Sequence, residues 1–136
     1  MTYVPTEADS PYIRMGGETP VKAVAARFYD HVDADEPELA RLHPLDAEGR
    51  VSPGARERFA LFLVEWTGGP TLYSPTHGHP RLRMRHADVP VTAGMAAAWL
   101  RCMDAAMGDV GVETEVRAFL MMRFAEISEN LRNIRE

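Results

Sequence analysis

The chain has 136 residues with 20 acidic against 15 basic side chains, and its net charge of −5 excludes a broadly basic nucleic-acid-binding face. Its 46% apolar and 26% charged content fits one globular domain, and no apolar run reaches the roughly 18 residues that cross a membrane. A lone cysteine, Cys102, rules out an internal disulfide; the N-terminus also lacks the charged and apolar regions of a signal peptide, so a reducing cytoplasm is expected.

Residues 1–10 are polar and unpatterned and are expected as a flexible tail ahead of a single domain over 11–136. A short helix is predicted over 11–16, closed by Gly16-Gly17. Thr19-Pro20 reads as an N-cap followed by proline at the first helical position. Val21, Val24, Ala25, Phe28 and Val32 then recur at helical spacing, predicting a helix over 20–34 with Tyr29 on the edge of its apolar stripe. Pro37 and Pro44 bracket a shorter helix over 37–42. Ser52-Pro53 repeats the cap signal, and Phe59, Phe62, Leu63 and Trp66 follow at spacings of three and four until Gly68-Gly69-Pro70. Between 67 and 80 lie three prolines and three glycines without periodicity, a length of loop that inside a compact domain usually carries function. Thr92 caps a helix with Met95, Ala98, Trp99, Cys102, Met103, Ala106 and Val110 on one face, ended by Gly111. A last helix over about 114–133 carries Val116, Phe119, Leu120, Phe124, Ile127 and Leu131. No convincing period-2 segment and no internal repeat appears, so the fold class is all-α with four substantial helices.

One stretch stands apart. In this acidic chain, His79-Pro80-Arg81-Leu82-Arg83-Met84-Arg85-His86 holds three arginines and two histidines and no acid. A target with anionic groups that also takes a neutral imidazole fits it, and a metal-bearing cofactor with carboxylates meets both demands. His86 is the first candidate ligand. Trp99 offers an indole N–H that donates only, and Tyr29 a hydroxyl beside an apolar face. Arg81, Arg83 and Arg85 are either anion contacts or a solvated basic face. Cys102 reads as a buried inert thiol. His77 and His79 with His86 admit a zinc site, though no fourth ligand lies nearby in sequence. A phosphate loop, a nucleophile elbow and a helix pairing two histidines with a glutamate are all missing from the sequence.

Three segments carry a family likeness. Arg27-Phe28-Tyr29, the run from Trp66-Thr67-Gly68-Gly69-Pro70 through Gly78-His79-Pro80-Arg81-Leu82-Arg83-Met84-Arg85-His86, and Ala98-Trp99-Leu100-Arg101-Cys102-Met103 closely resemble the group II truncated haemoglobins. The likeness covers about residues 11 to 130, and the run ending at His86, followed 13 residues later by Trp99, is its most specific part. It implies a shortened globin whose helical pairs pack two-over-two around haem b, with His86 as the proximal iron ligand and Trp99 and Tyr29 on the distal side. His43 falls where the family most often has tyrosine or phenylalanine and joins them as a third distal group. Ala55 stands where vertebrate globins keep a distal histidine, and Phe59 where smaller aliphatic residues are common. Arg85 and Tyr73 fall where the family touches the haem propionates.

The residues meet the needs of such a cofactor. An apolar plate calls for apolar helix faces, which Phe28, Phe59, Phe62, Leu63, Met84 and Met103 supply, and its carboxylates call for cations, which Arg83 and Arg85 supply. Donors on Trp99, Tyr29 and His43 would hold an electronegative ligand. The expected partners are oxygen, carbon monoxide and nitric oxide, with peroxide or sulfide as further candidates and an unidentified electron donor. Redox work such as nitric oxide oxidation or peroxidase-like chemistry is expected, rather than simple oxygen delivery. No nucleic acid and no membrane is expected as partner, and a homodimer stays open. Two other readings remain. One is a non-haem metal enzyme using His77, His79 and His86; the other is a helical module holding an anionic partner through the arginine cluster.

Overall fold

The computed structural model describes residues 3–82, 86 and 89–133. These form α1 (Pro11–Met15), α2 (Glu18–Asp35), α3 (Pro37–Ala40), α4 (Pro53–Trp66), α5 (Ser74–His77), α6 (Ala93–Val110) and α7 (Thr114–Leu131). Among the described residues there is no strand, only isolated bridges between Thr6 and Asp9 and between Leu45 and Val51. No helix in this set is long and apolar enough to cross a membrane.

Two starts follow the predicted chemistry. Ser52 accepts from the Ala55 N–H at 3.3 Å and Thr92 from the Met95 N–H at 3.1 Å, so each satisfies one donor that the first turn leaves open. At the other end of α6, Gly111 closes the helix in the left-handed conformation (φ 83°), which a side chain rarely adopts.

The start of α2 differs from the expectation. The helix begins at Glu18 rather than after Thr19, and no side chain caps it. Gly17 takes φ 99°, and its carbonyl accepts from the Val21 N–H at 3.3 Å. A glycine that turns the chain this way replaces the cap, and Pro20 is tolerated because its missing N–H belongs to the first turn. The helix expected over 37–42 is confined to Pro37–Ala40, with Leu42 and His43 continuing only as turn bonds to Leu39 and Ala40.

Within residues 3–10, expected as a loose tail, Tyr3 and Ser10 are buried, whereas Val4, Thr6, Glu7 and Ala8 are exposed. Tyr3 is buried, its ring meets Phe119 edge-on at 5.6 Å, and its hydroxyl donates to the Asp9 carbonyl at 2.7 Å. Arg14 covers that ring at 4.5 Å and grips the Asp9 carboxylate with two 2.8 Å bonds.

The apolar stripes meet as their spacing requires. Helix α2 packs against α4 on one side and α6 on the other, and α6 packs against α7. Val21, Val24, Phe28 and Val32 of α2 are sealed among Leu63 and Val64 of α4, Met103, Ala106 and Met107 of α6, and Val116 and Leu120 of α7. Trp66 of α4 stacks on Phe124 of α7 at 4.7 Å, so the two helical pairs also touch at that end. Leu63 is 1% exposed, and at such a site leucine-to-alanine truncation costs about 2–5 kcal/mol.

The segment after α4 is expected as an aperiodic loop, yet it contains the single turn α5. Glu65 holds that turn in place, accepting from the Ser74 N–H at 3.0 Å and from the Ser74 hydroxyl. The hydroxyl bond, more than any other influence, keeps the Glu65 carboxyl below its usual range.

Candidate functional site

Where the helical pairs diverge, they leave a cavity of about 400 Å³. Its aromatic wall is a chain of ring contacts. Phe28 touches Tyr29 (4.9 Å), Phe59 (5.1 Å) and Trp99 (4.9 Å), and Trp99 in turn meets Phe124 at 5.0 Å. Tyr29, Phe59, Trp99 and Phe124 line the cavity. Their neighbours are Leu39 from α3, Leu42 and Pro44 from the turn after it, Met95 from α6, and Ile127 and Leu131 from α7. Asp33 steadies the entry to this wall: it accepts from the Val51 N–H at 3.0 Å and pairs with Arg56.

Polar groups enter this apolar space at few points. Tyr29 is 5% exposed, and among the described residues its hydroxyl has no hydrogen-bond partner within the protein. Burial pushes its phenol well above the usual tyrosine range, so the hydroxyl keeps its proton to donate. Trp99 brings an indole N–H that can only donate.

Two histidines line the same cavity, and both are tied by the same device. The His43 Nδ1 lies 3.0 Å from the Leu39 carbonyl and the His86 Nδ1 lies 2.7 Å from the Leu82 carbonyl, in each case four residues back. A carbonyl only accepts, so each Nδ1 carries the hydrogen, and the neutral ring is left with a bare Nε2. Burial is the main cause that lowers the His43 pKa, which favours that neutral form. The expectation that His43 is a donor therefore reverses: in its neutral state Nε2 accepts. Its ring stands edge-on to Tyr29 at 5.3 Å.

The predicted residues divide into three groups. Tyr29, His43, Phe59, Phe62, Tyr73, His86 and Trp99 come together on the cavity. Phe28, Leu63 and Met103, expected on the cofactor, do not line it; they are fully buried in the core behind the wall. Arg83, Met84 and Arg85 lie outside the described residues. Arg81 takes the left-handed conformation (φ 46°), and its N–H donates to His79 Nδ1 at 3.1 Å. The zinc alternative loses its geometry: among the described residues no group of three His, Cys, Asp or Glu side chains is arranged to hold a metal ion, and His77 leans on the Tyr73 ring at 4.9 Å instead. Cys102 is buried away from the cavity lining, and burial pushes its thiol up to about 11.

Sequence reasoning missed Arg58, which lines the cavity and forms no ion pair among the described residues. Its place at one turn before Phe62 and one residue before Phe59 was the available signal.

The bacterial-like globin family model matches residues 10–133. The chain belongs to this family, as a group II truncated haemoglobin. It is 38% identical to the group 2 truncated hemoglobin YjbI of Bacillus subtilis over 125 residues, spanning 92% of this chain and 89% of that one. Among solved structures, the hemoglobin of the thermophilic phototroph Chloroflexus aurantiacus superposes with a TM-score of 0.82 at 35% identity, covering 92% of this chain and 98% of its own. The truncated oxygen-avid haemoglobin of Bacillus subtilis superposes with a TM-score of 0.80 at 37% identity, covering 91% and 99%. The all-helical arrangement is thus the truncated globin fold.

Membership in the globins implies haem, and the cavity's chemistry fits that group. The truncated haemoglobin's wall is apolar and aromatic, the imidazoles of His43 and His86 line it with Nε2 unbonded, and the exposed Arg58 stands at its edge. An apolar plate with one axial metal position and peripheral carboxylates needs those three features.

Proposed function

We propose that this chain binds haem b through His86 Nε2 and holds oxygen and other diatomic ligands against Tyr29 and Trp99. The observation that carries the reading is the tied His86 ring: its Nδ1–H is committed to Leu82, which leaves Nε2 as the lone-pair donor lining an apolar cavity. When bound, haem would supply an iron that takes a small diatomic ligand and exchanges single electrons.

The chain's own residues supply the rest. Tyr29 O–H and Trp99 N–H are two unpaired donors on one wall, suited to an electronegative ligand held among aromatic side chains. Neutral His43 accepts, so it orders a donor such as the Tyr29 hydroxyl or a water rather than bonding directly to the ligand. Arg58 and Tyr73, both at the cavity, would meet the propionates, and the family likeness adds Arg85 to them. Redox turnover, by nitric oxide oxidation or peroxidase-like chemistry, follows from two donors that slow ligand release, and the oxygen-avid character named for the Bacillus subtilis relative agrees with tight holding. The single inert thiol suits a reducing cytoplasm.

Haem titration of the purified chain tests the proposal. A Soret band saturating at one haem per chain, shifting with carbon monoxide after reduction, is the expected result. A chain that leaves haem in its free absorbing form overturns the reading.

A further inference from the structure

Beyond the end of α7, the chain turns back on the segment that carries His86. Arg132 leaves the helix in an extended conformation (φ −60°, ψ 125°), and the next residue, Asn133, makes four hydrogen bonds to that segment. Its Nδ2 donates to the His86 carbonyl at 3.0 Å and to the Val89 carbonyl at 2.7 Å. Its Oδ1 accepts from the Val91 N–H at 2.8 Å, and its own N–H donates to the Val91 carbonyl at 3.1 Å.

The side-chain amide suits this task. Both Nδ2 hydrogens are used on carbonyls and the Oδ1 is used on an N–H, so the bonding demands two donors and an acceptor on one short stem. Aspartate would lose the donors, and serine would supply one. The His86 carbonyl also accepts from the Val89 N–H at 3.1 Å, and the His86 N–H donates to Leu82 at 3.1 Å. Leu82 therefore fixes the imidazole and Asn133 fixes the backbone beneath it. The same α7 that leads into Asn133 places Ile127 and Leu131 on the cavity, so the clip ties the height of His86 to the cavity's own wall.

We propose that Asn133 is a positioning residue for His86: it sets where the imidazole stands and hence the strength of the bond His86 makes to the metal. This rests on the reading of His86 as the iron ligand. None of the four bonds is deeply buried, so each is weak alone; their effect comes from converging on one turn.

The test uses the full chain as parent, Asn133→Ala and Asn133→Asp, each checked for helix content. Asn133→Ala removes three of the four bonds, whereas Asn133→Asp keeps the acceptor for Val91 and sets a carboxylate oxygen against two carbonyls. In the haem-free protein, exchange of the Val91 amide should speed up about tenfold in Asn133→Ala and less in Asn133→Asp. In the ferrous haem-bound protein, the iron–histidine stretching band should shift or broaden in both variants, and haem transfer to an apo-globin acceptor should quicken severalfold. A parent that takes up haem through His86, with variants that keep the parent's stretching band and transfer haem within about twofold of its rate, would overturn the positioning role while leaving the haem reading intact. Unchanged Val91 exchange in Asn133→Ala also overturns it. If His86→Gly keeps haem unchanged in the same series, the haem reading itself has failed, and the positioning role falls with it.

Discussion

His43 and His86 are tied by one device and surrounded by opposite materials. Each gives its Nδ1 hydrogen to the carbonyl four residues back, and each lines the cavity with the other ring nitrogen bare. Around His43 the fixing material is packing: Tyr29 stands against its ring, and the wall continues through Phe59 and Trp99, with Phe28 packed behind them. Around His86 it is backbone hydrogen bonding, from Leu82 on one side and Asn133 on the other. A packed ring resists change in shape, whereas a bonded turn resists change in height. The first suits a wall that selects and holds a ligand, and the second suits a group whose distance to a metal has to be set.

The largest expected effect breaks the packed side. Trp99→Ala removes an indole in contact with Phe28, Phe59 and Phe124, and should lower the stability of the haem-free chain by about 3 kcal/mol, the low end for such truncations because the ring is only partly buried. Urea unfolding measures it, and a loss below about 1 kcal/mol would mean that the wall is not held by packing.

Removing only the donors is gentler. Trp99→Phe and Tyr29→Phe keep a ring and delete an N–H or an O–H. Losing one donor to a buried polar ligand costs on the order of 1–3 kcal/mol, or roughly a five- to 150-fold faster release of oxygen by stopped flow. Because both donors address one ligand, the double variant should depart from the sum of the singles. Four rates within about twofold of one another would leave ligand holding to cavity shape alone.

The shared tie and its opposite surroundings also mark where the sequence is readable. Helical spacing shows α2, α4, α6 and α7, and Ser52 and Thr92 announce their helices because a cap is a local bond. Depth is another matter. Phe28, Leu63 and Met103 sit on the right stripes but lie behind the wall, since a side chain facing a core and one facing a cavity share the same period. Leu42 and Pro44 join the site through a turn, which has no period at all. The tautomers of His43 and His86 depend on carbonyl positions, and Asn133 on a contact across 47 residues; neither leaves a pattern in the chain.

A subtler effect concerns His43 and pH. Burial favours neutral His43 in the folded chain, whereas the unfolded chain protonates it near the ordinary 6.5. The stability that neutral His43 contributes is present above that pH and is lost as pH falls through the lower folded value. The parent should therefore lose more melting temperature between neutral and mildly acidic pH than His43→Phe does, while His43→Phe keeps its haem. Parallel melting profiles for the two would remove the case for a neutral, accepting His43.

The most direct measurement of the central claim is the ferrous absorption spectrum of His86→Gly, recorded with and without added imidazole. The account predicts little or altered haem binding in the variant alone and recovery of the parent's spectrum when imidazole fills the space left by the side chain. A variant whose ferrous spectrum matches the parent's without imidazole would contradict it.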